Sequence, residues 1–181
     1  QRGSPRTMPR PEHVEVPEQG QLVWWPQEGP QEALFKCTIP DILFGGSRGG
    51  GKTDGLLGRL AFRAHRFGSK FNGIIFRLTM PSQDDIWERA CEIYSTIGAS
   101  ANEYNHTIKF REGGRLRLRP LERVQDADKY QGQNLTDAVI EEAGLYPSPA
   151  PIDRLWGAMR SGAGIPISML LTGNPGGAGQ H

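Results

Sequence analysis

Apolar and polar residues along this chain follow two periods, which predict alternating strands and amphipathic helices. Continuous apolar runs predict strands at residues 42–44, 71–77, 138–140 and 165–171. Between them, apolar residues recur every three or four positions, as they do on one face of a helix. Strands that alternate with such helices favour parallel pairing. We therefore expect an α/β fold of three layers, with a mostly parallel sheet and helices on both of its faces.

The segment after residue 53 is a predicted amphipathic helix. The side expected to pack on the sheet carries Leu56, Leu57, Leu60, Ala61 and Ala64. The opposite side, which we expect to face water, carries Arg59, Arg63 and Arg66. A second helix is predicted to begin at a capping box at residues 82–85 and to end near Gly98.

The length, charge and composition of the chain exclude several classes of protein. With 181 residues the chain is long enough for one domain, and its formal net charge of +1 projects no strong overall field. Residues 1–20 carry prolines and almost nothing apolar, so we expect a flexible N-terminal arm there and one domain over residues 21–181. The 2 cysteines are too few for a disulfide framework, and the 4 histidines lack metal-ligand spacing. No apolar run reaches the length of a membrane span, so no membrane partner is expected.

Residues 46–53 fit the phosphate-binding pattern G-x-x-x-x-G-K-[ST] and lie between a predicted strand and a predicted helix. Glycines let successive backbone N–H groups close on phosphate oxygens, and the helix N-terminus adds a positive dipole. Lys52 is expected to reach the β- and γ-phosphates, and the Thr53 hydroxyl to bind Mg²⁺. A chance match is the alternative in a chain with 24 glycines. The candidate nucleotide-binding residues of this segment are Gly46, Ser47, Arg48, Gly49, Gly50, Gly51, Lys52 and Thr53.

Two adjacent acids, Glu141 and Glu142, follow the apolar strand at 138–140. Hydrolysis of ATP needs one carboxylate to hold Mg²⁺ or its water and another to orient or deprotonate the attacking water. Adjacent residues at a strand end can divide these tasks, whereas a solvated pair of acids is the alternative. After the last strand, Thr172 and Asn174 present small polar groups that are placed to sense the γ-phosphate.

A glutamine lies ahead of the phosphate loop, at Gln31. Its amide can both donate to and accept from the N6 and N7 edge of adenine, and Trp24 or Trp25 is a candidate to stack nearby. The alternative is that the tryptophans belong to the core and that Gln31 is a capping or surface residue.

Residues 105–120 change to the pattern of a β-hairpin, with a turn at 112–114. Alternate residues of its second strand share a face, which sets Arg115, Arg117 and Arg119 against Leu116 and Leu118. Three guanidinium groups in a row repel one another unless water or an anion lies opposite. DNA phosphate, the ATP of a neighbouring subunit and plain solvent all remain open as the partner of this face.

Together these motifs resemble the large terminase subunit of tailed bacteriophages, over about residues 24–180. The resemblance rests on Pro-Gln-x-Gly-Pro-Gln at 26–31, the phosphate loop, Lys-Tyr-Gln-Gly-Gln at 129–133 and Thr-Gly-Asn-Pro at 172–175. It implies a P-loop ATPase domain of the additional-strand, catalytic-glutamate class, which hydrolyses ATP with Mg²⁺ to drive double-stranded DNA into a procapsid.

The resemblance also implies roles for single residues. In that family the position of Gln31 contacts adenine, and the loop arginine, here Arg48, touches the γ-phosphate. The first acid binds Mg²⁺ and the second is catalytic, while residues 172–175 couple hydrolysis to movement. The residues expected to take part in catalysis are Glu142, Glu141, Arg48 and Lys52, and the expected metal ligands are Thr53 and Glu141. A homo-oligomeric ring, a portal protein and a small terminase subunit are the implied partners, and the host-cell cytoplasm is the implied location.

The chain departs from the family pattern at named positions. Glu141 stands where relatives usually have Asp, and Gln131 stands where they often carry a trans-acting arginine. The remaining candidates for a trans-acting cation are Arg115, Arg119, Arg123 and Lys129. Relatives also continue into a metal-dependent nuclease domain, so the resemblance implies that residues 1–181 are the ATPase part of a longer protein.

Two other classes of function fit the same motifs. A helicase-like or other DNA-remodelling P-loop ATPase shares the site, and a nucleotide- or DNA-binding scaffold needs the loop but no hydrolysis. A GTPase is disfavoured, because the guanine-reading Asn-Lys-x-Asp sequence does not occur.

Overall fold

The computed structural model describes residues 24–46, 51–79 and 84–174. Within these ranges the helices are α1 (Pro30–Lys36), α2 (Lys52–Phe67), α3 (Asp84–Ser95), α4 (Val124–Asp128) and α5 (Ala150–Ala158). The strands are β1 (Asp41–Gly45), β2 (Asn72–Arg77), β3 (Ser100–Asn102), β4 (Thr107–Lys109), β5 (Arg115–Pro120), β6 (Asp137–Ile140) and β7 (Ser168–Gly173). The predicted arm at 1–20, the loop residues 47–50 and the first half of the capping box at 82–83 lie outside the described residues.

The described strands form one sheet of 7 strands in the order β1-β7-β6-β2-β5-β4-β3. Pairing is parallel from β1 through β5. It becomes antiparallel for β4 and β3, so the hairpin prediction is confirmed. Because β6 lies between β2 and β7, their carboxyl ends meet at the same edge of the sheet.

Each face of the sheet is covered by its own hydrophobic core. Apolar residues of α2 and α3 pack on one face, and those of α4 and α5 pack on the other. This arrangement confirms the three-layer α/β prediction. In the part of the chain that the structure describes, no helix combines the length and the apolar character needed to cross a membrane.

Two arginines of α2 are buried, which corrects the expectation that Arg59, Arg63 and Arg66 all face water. Arg59 is 4% exposed and Arg63 is 9% exposed. The Arg59 guanidinium donates to the carbonyl oxygens of Leu34 and Cys37, both at 2.7 Å. These carbonyls end α1 and the turn after it, so the arginine serves as their hydrogen-bond partner. Arg66 is exposed, as expected.

Arg63 is buried because it meets a carboxylate at the amino end of β6. Its guanidinium forms an ion pair with Asp137 and donates to the carbonyl oxygen of Pro166 at 2.6 Å. The hydroxyl of Thr136 donates a further hydrogen bond to Asp137 at 2.9 Å. Burial raises the pKa of Asp137, and the adjacent Arg63 charge opposes that rise.

The last strand begins later than the sequence pattern predicts, at Ser168 instead of residue 165. Pro166 has no N–H for the ladder, and its carbonyl is taken by Arg63. The strand instead runs on through Thr172 and Gly173, which pair with Phe44 and Gly45 of β1. This shift brings the end of β7 level with the start of the phosphate loop.

We expect replacement of Asp137 alone to be strongly destabilising, because it leaves the buried Arg63 charge without a counter-ion. Asp137→Leu should lower the free energy of unfolding by about 3 kcal/mol in a urea titration. Adding Arg63→Met should recover most of that loss. The matched control Arg66→Met, at an exposed position of the same helix, should change stability by less than about 0.5 kcal/mol. A double variant no more stable than Asp137→Leu would contradict the ion-pair account.

Candidate nucleotide-binding site

A cleft of about 440 Å³ lies where the carboxyl ends of β2, β6 and β7 meet the beginning of α2. In open parallel sheets this edge is where ligands bind. The cleft is lined by Gly51, Lys52, Thr53, Asp54, Arg77, Glu141, Glu142, Thr172, Gly173 and Asn174. It therefore brings together all of the described site candidates except Gln31 and Gly46, which contact its lining residues. Ser47, Arg48, Gly49 and Gly50 lie outside the described residues.

The end of the phosphate loop depends on a glycine. Gly51 precedes the first residue of α2 and has a φ of 66°, in the left-handed region that side chains other than glycine rarely adopt. A Cβ atom built on Gly51 would lie 2.4 Å from Nε2 of Gln31. Helix α2 starts directly after this residue, so its first N–H groups and its positive dipole end face the loop.

Gln31 holds the loop through its side-chain amide. It is 4% exposed, its Nε2 donates to the carbonyl oxygen of Gly51 at 2.7 Å, and its Oε1 accepts from the N–H of Gln27 at 2.8 Å. An amide can make two hydrogen bonds through each of these atoms. Gln31 thus has a structural role in fixing the loop, and its contact with adenine stays a prediction.

Trp24 lies away from the phosphate loop, on the flank of α2. A Cβ atom on Gly58 would come within 2.2 Å of the Trp24 ring, so this glycine is what lets the indole pack directly on the helix. The ring also lies near Phe35, with centroids 6.3 Å apart. Trp25, by contrast, is 42% exposed. Trp24 is half-buried and belongs to neither core cluster, so the structure does not place the tryptophan pair in the core.

Lys52 connects the loop to the end of β7. Its Nζ donates to the carbonyl oxygen of Gly46 and to Oδ1 of Asn174, both at 2.9 Å. The N–H of Gly46 in turn donates to the carbonyl oxygen of Gly173 at 3.2 Å. The lysine expected to bind phosphate and the asparagine expected to sense it are thus direct neighbours in space.

Glu141 is buried at the centre of the cleft, with 5% of its surface exposed. Its backbone N–H donates to the carbonyl oxygen of Phe76 at 2.9 Å, which continues the parallel pairing with β2 by one residue. The Thr53 hydroxyl lies 3.2 Å from its Oε1, and Arg77 forms an ion pair with its Oε2. The carboxylate therefore joins α2, β2 and β6.

Arg77 is a site residue that the sequence analysis missed. It is the last residue of β2 and is largely buried, and it belongs to the cleft only because β2 neighbours β6 in the sheet. The sequence places it at the end of a predicted strand, which is a weak signal. Only the order of strands in the sheet, which the sequence does not give, shows that Arg77 lies at the cleft.

Glu142 adopts a conformation that is unusual for a glutamate. Its φ of 55° and ψ of 45° lie in the left-handed region, at a cost of roughly 1–2 kcal/mol for a residue with a Cβ atom. Its N–H donates to the hydroxyl oxygen of Thr172 at 3.3 Å. Residues held in such conformations are concentrated at functional sites. This turn ends β6 and keeps both acids on the lining of one cleft.

The oxygen atoms of Thr53 and Glu141 fit a magnesium ion. Mg²⁺ prefers hard oxygen ligands and is usually bound through one or two carboxylates together with phosphate oxygens and water. A hydroxyl and a carboxylate oxygen 3.2 Å apart, beside the phosphate loop, supply such a donor set. No group of three or more His, Cys, Asp or Glu side chains suited to a metal occurs among residues 24–46, 51–79 and 84–174.

No protein-family model and no curated protein matches this chain. Several solved structures do. The large terminase from a thermophilic bacteriophage has a TM-score of 0.64 at 13% identity, over 81% of this chain and 38% of that one. The large terminase ATPase domain of Thermus phage P74-26 has a TM-score of 0.60 at 12% identity, over 81% and 64%. The large terminase of bacteriophage HK97 has a TM-score of 0.57 at 14% identity, over 75% and 29%.

This chain spans between 29% and 64% of the length of those proteins. At 12–14% identity the likeness is one of fold. The chain therefore has the P-loop NTPase fold of the phage large terminase ATPase domains.

Proposed function

We propose that this chain is an ATP hydrolase, the ATPase domain of a large terminase that translocates double-stranded DNA into a viral procapsid. The observation that carries the proposal is the convergence of Lys52, Thr53, Glu141 and Glu142 on one cleft beside a phosphate loop. The similarity in fold to phage large terminases supports the biological setting. It also argues against the helicase-like alternative.

In the proposed binding step, the N–H groups at the start of α2 and the Lys52 ammonium group receive the triphosphate. Lys52 donates to two neutral oxygens, on Gly46 and Asn174, and each can be exchanged for a phosphate oxygen. Asn174 would thereby lose its contact with Lys52 when ATP binds. That exchange is a direct way for the end of β7 to respond to the γ-phosphate, as proposed for Thr172 and Asn174.

Thr53 and Glu141 are the proposed magnesium ligands. When bound, the ion neutralises charge on the β- and γ-phosphates and fixes their orientation. Arg77 is the proposed positioning residue for this pair, because its guanidinium contacts one oxygen of Glu141 and leaves the other toward Thr53. A charged donor of this kind also offsets the cost of burying the carboxylate.

Glu142 is the proposed catalytic acid-base residue, which orients the attacking water and accepts its proton. Glu141 is held on both carboxylate oxygens, by Arg77 and Thr53, and is therefore poorly placed for that task. The backbone of Glu142 is instead anchored to Thr172, and the residue lines the cleft. Arg48 remains a proposed contact of the γ-phosphate through the resemblance alone.

The remaining parts of the proposal concern the assembled motor. An ATPase that moves DNA needs double-stranded DNA as its partner and, in a packaging motor, a homo-oligomeric ring, a portal protein and a small terminase subunit. The proposed location is the host-cell cytoplasm. These statements follow from the family that the fold and motifs resemble.

We expect Glu142→Gln to abolish steady-state ATP hydrolysis while ATP binding is retained. Loss of a positioned base lowers the turnover rate by about 10²–10⁴-fold. The measurement is phosphate release by the assembled protein with DNA, set beside equilibrium binding of a fluorescent ATP analogue. Glu88→Gln is the matched control, since it makes the same change at an exposed position of α3. Unchanged turnover in Glu142→Gln would rule out the assignment.

A second test addresses the loop. Gly51→Ala places a Cβ atom where Gln31 lies and strains the left-handed backbone, so we expect the free energy of unfolding to fall by about 1–2 kcal/mol. Because the loop must shift to relieve that strain, affinity for the ATP analogue should fall as well. Gly157→Ala is the control: it lies within α5 with no atom within 4 Å of its added Cβ. It should leave ATP affinity unchanged and raise stability slightly. Equal ATP affinity in both variants would argue against a phosphate-binding role for the loop.

A further inference from the structure

The strand β5 and its neighbour β4 carry a row of basic side chains on one face of the sheet. Leu116 and Leu118 of β5 point into the core with α2 and α3, so the arginines between them lie on the opposite face. Lys109 of β4 pairs directly with Arg115 and therefore shares that face. Lys109 and Arg115 are exposed, while Arg117 and Arg119 are half-buried. These residues, Lys109, Arg115, Arg117 and Arg119, form the basic strip.

Among the residues that the structure describes, the basic strip has no carboxylate partner. Within the described ranges, every ion pair involves some other cation. The arginines instead donate to neutral oxygens. Arg115 and Arg117 both donate to Oδ1 of Asn72 at 3.1 Å, and Arg119 donates to the carbonyl oxygen of Asn105 at 2.8 Å. Three positive charges are thus held side by side, with no carboxylate in the described part of the chain to compensate them.

Arg117, in the middle, experiences this crowding most directly. Burial, together with the charges of Arg115 and Arg119, lowers the pKa of Arg117 to about 10. It still carries its charge at neutral pH. In addition, its Nε is buried without a hydrogen-bond partner among the described residues. An anion placed along the strip would offset the repulsion that this geometry creates.

A shallow concavity continues the strip toward the edge of the sheet. It is lined by Ser100, Ala101, Asn102, Asn105, Thr107 and Lys109, and so contains hydroxyl and amide groups but no carboxylate. Such neutral donors contact phosphate oxygens in protein–DNA complexes. The basic strip is therefore continued by hydroxyl and amide groups that can donate hydrogen bonds to phosphate oxygens.

We propose that the basic strip binds the phosphate backbone of double-stranded DNA, an inference that rests on the proposed function as a DNA-translocating ATPase. The arginines at alternate positions of a strand are spaced by roughly 6.6 Å, so three of them extend over about 13 Å in a line. A linear arrangement matches a polyanion with regularly spaced charges. The compact triphosphate of a neighbouring subunit would instead require converging cations. The guanidinium fork is also well suited to phosphate oxygens.

The position of the strip gives it a short route to the ATP site. Strand β2 lies between β5 and β6, with Arg119 opposite Phe76 in the register. The next residue of β2, Arg77, forms the ion pair with Glu141. DNA bound to the strip would therefore lie one strand away from Arg77 in the sheet, with the side chains of the strip and of Arg77 on opposite faces because side chains alternate along β2.

The test is fluorescence anisotropy of a labelled DNA duplex titrated with the full 181-residue chain, without nucleotide, at several salt concentrations. For the double variant Arg115→Gln/Arg119→Gln we expect about tenfold weaker binding and a salt slope reduced by about 2, since each lost phosphate contact lowers the slope by about 1. Arg115→Lys/Arg119→Lys should keep the slope. Arg66→Gln, an exposed arginine on α2, should change neither quantity.

If the double variant fails to fold, Lys109→Gln at the exposed edge of the strip provides the same test, with a slope reduced by about 1. Unchanged affinity and slope in a folded variant would overturn the inference. So would retained DNA binding combined with a loss of ATP turnover that depends on protein concentration, because the strip would then serve a neighbour's triphosphate. ATP binding and hydrolysis are measured separately on the same proteins. Wild-type chain that binds duplex through the strip but never hydrolyses ATP would refute the proposed function and support the inference.

Discussion

The candidate site depends on the contacts of the buried Glu141 carboxylate. A buried carboxylate is costly unless it is paired and hydrogen-bonded, and here Arg77 and Thr53 meet that requirement from β2 and α2. Both partners are fixed by the sheet: Arg77 because β2 pairs with β6, and Thr53 because α2 starts where β1 ends. The same contacts that make the burial of Glu141 tolerable therefore hold the loop, the acid and the arginine around one cleft.

A second constraint comes from the end of β7. Lys52 is tied to Asn174 and Gly46, and the backbone of Glu142 is tied to Thr172. The strained backbone of Glu142 is thus supported by Thr172 of β7, two residues before the Asn174 that contacts Lys52. Lys52 and Glu142 are therefore connected through Asn174 and Thr172, which lie just after and within the end of β7.

Local patterns in the sequence were enough to predict most of the elements. The apolar run at 42–44, the glycine-rich segment and the amphipathic helix after it predict strand, loop and helix, because each depends only on neighbouring residues. The alternation of Arg and Leu in β5 likewise predicts its two faces. The strand order could not be read in this way, since pairing of β6 between β2 and β7 depends on contacts between distant segments. Arg77 was missed for that reason.

The burial of two arginines in α2 is another feature that local sequence patterns could not predict. Helical spacing assigns Arg59 and Arg63 to a polar face, but it cannot show that Asp137, Pro166 and the carbonyls at the end of α1 enclose that face. Nor does sequence predict the left-handed backbone of Glu142, because glutamate rarely adopts it without support from tertiary contacts. Each of these features needs a partner that is distant in the chain.

The distribution of charge explains how a chain with a formal net charge of +1 can present a strongly basic surface. Arg63 is buried and Arg77 is largely buried, and they are paired with the carboxylates of Asp137 and Glu141 respectively. The arginines of β5 are not paired in this way, and their partners are neutral oxygens. Carboxylates thus neutralise Arg63 and Arg77. The arginines on the face of β5 can instead interact with solvent or with a bound anion. Overall charge averages over these two environments, whereas binding depends on the local field. Since β2 borders both environments, the ion-paired edge at the candidate site and a basic face with no carboxylate partner among the described residues lie on adjacent strands of the same sheet.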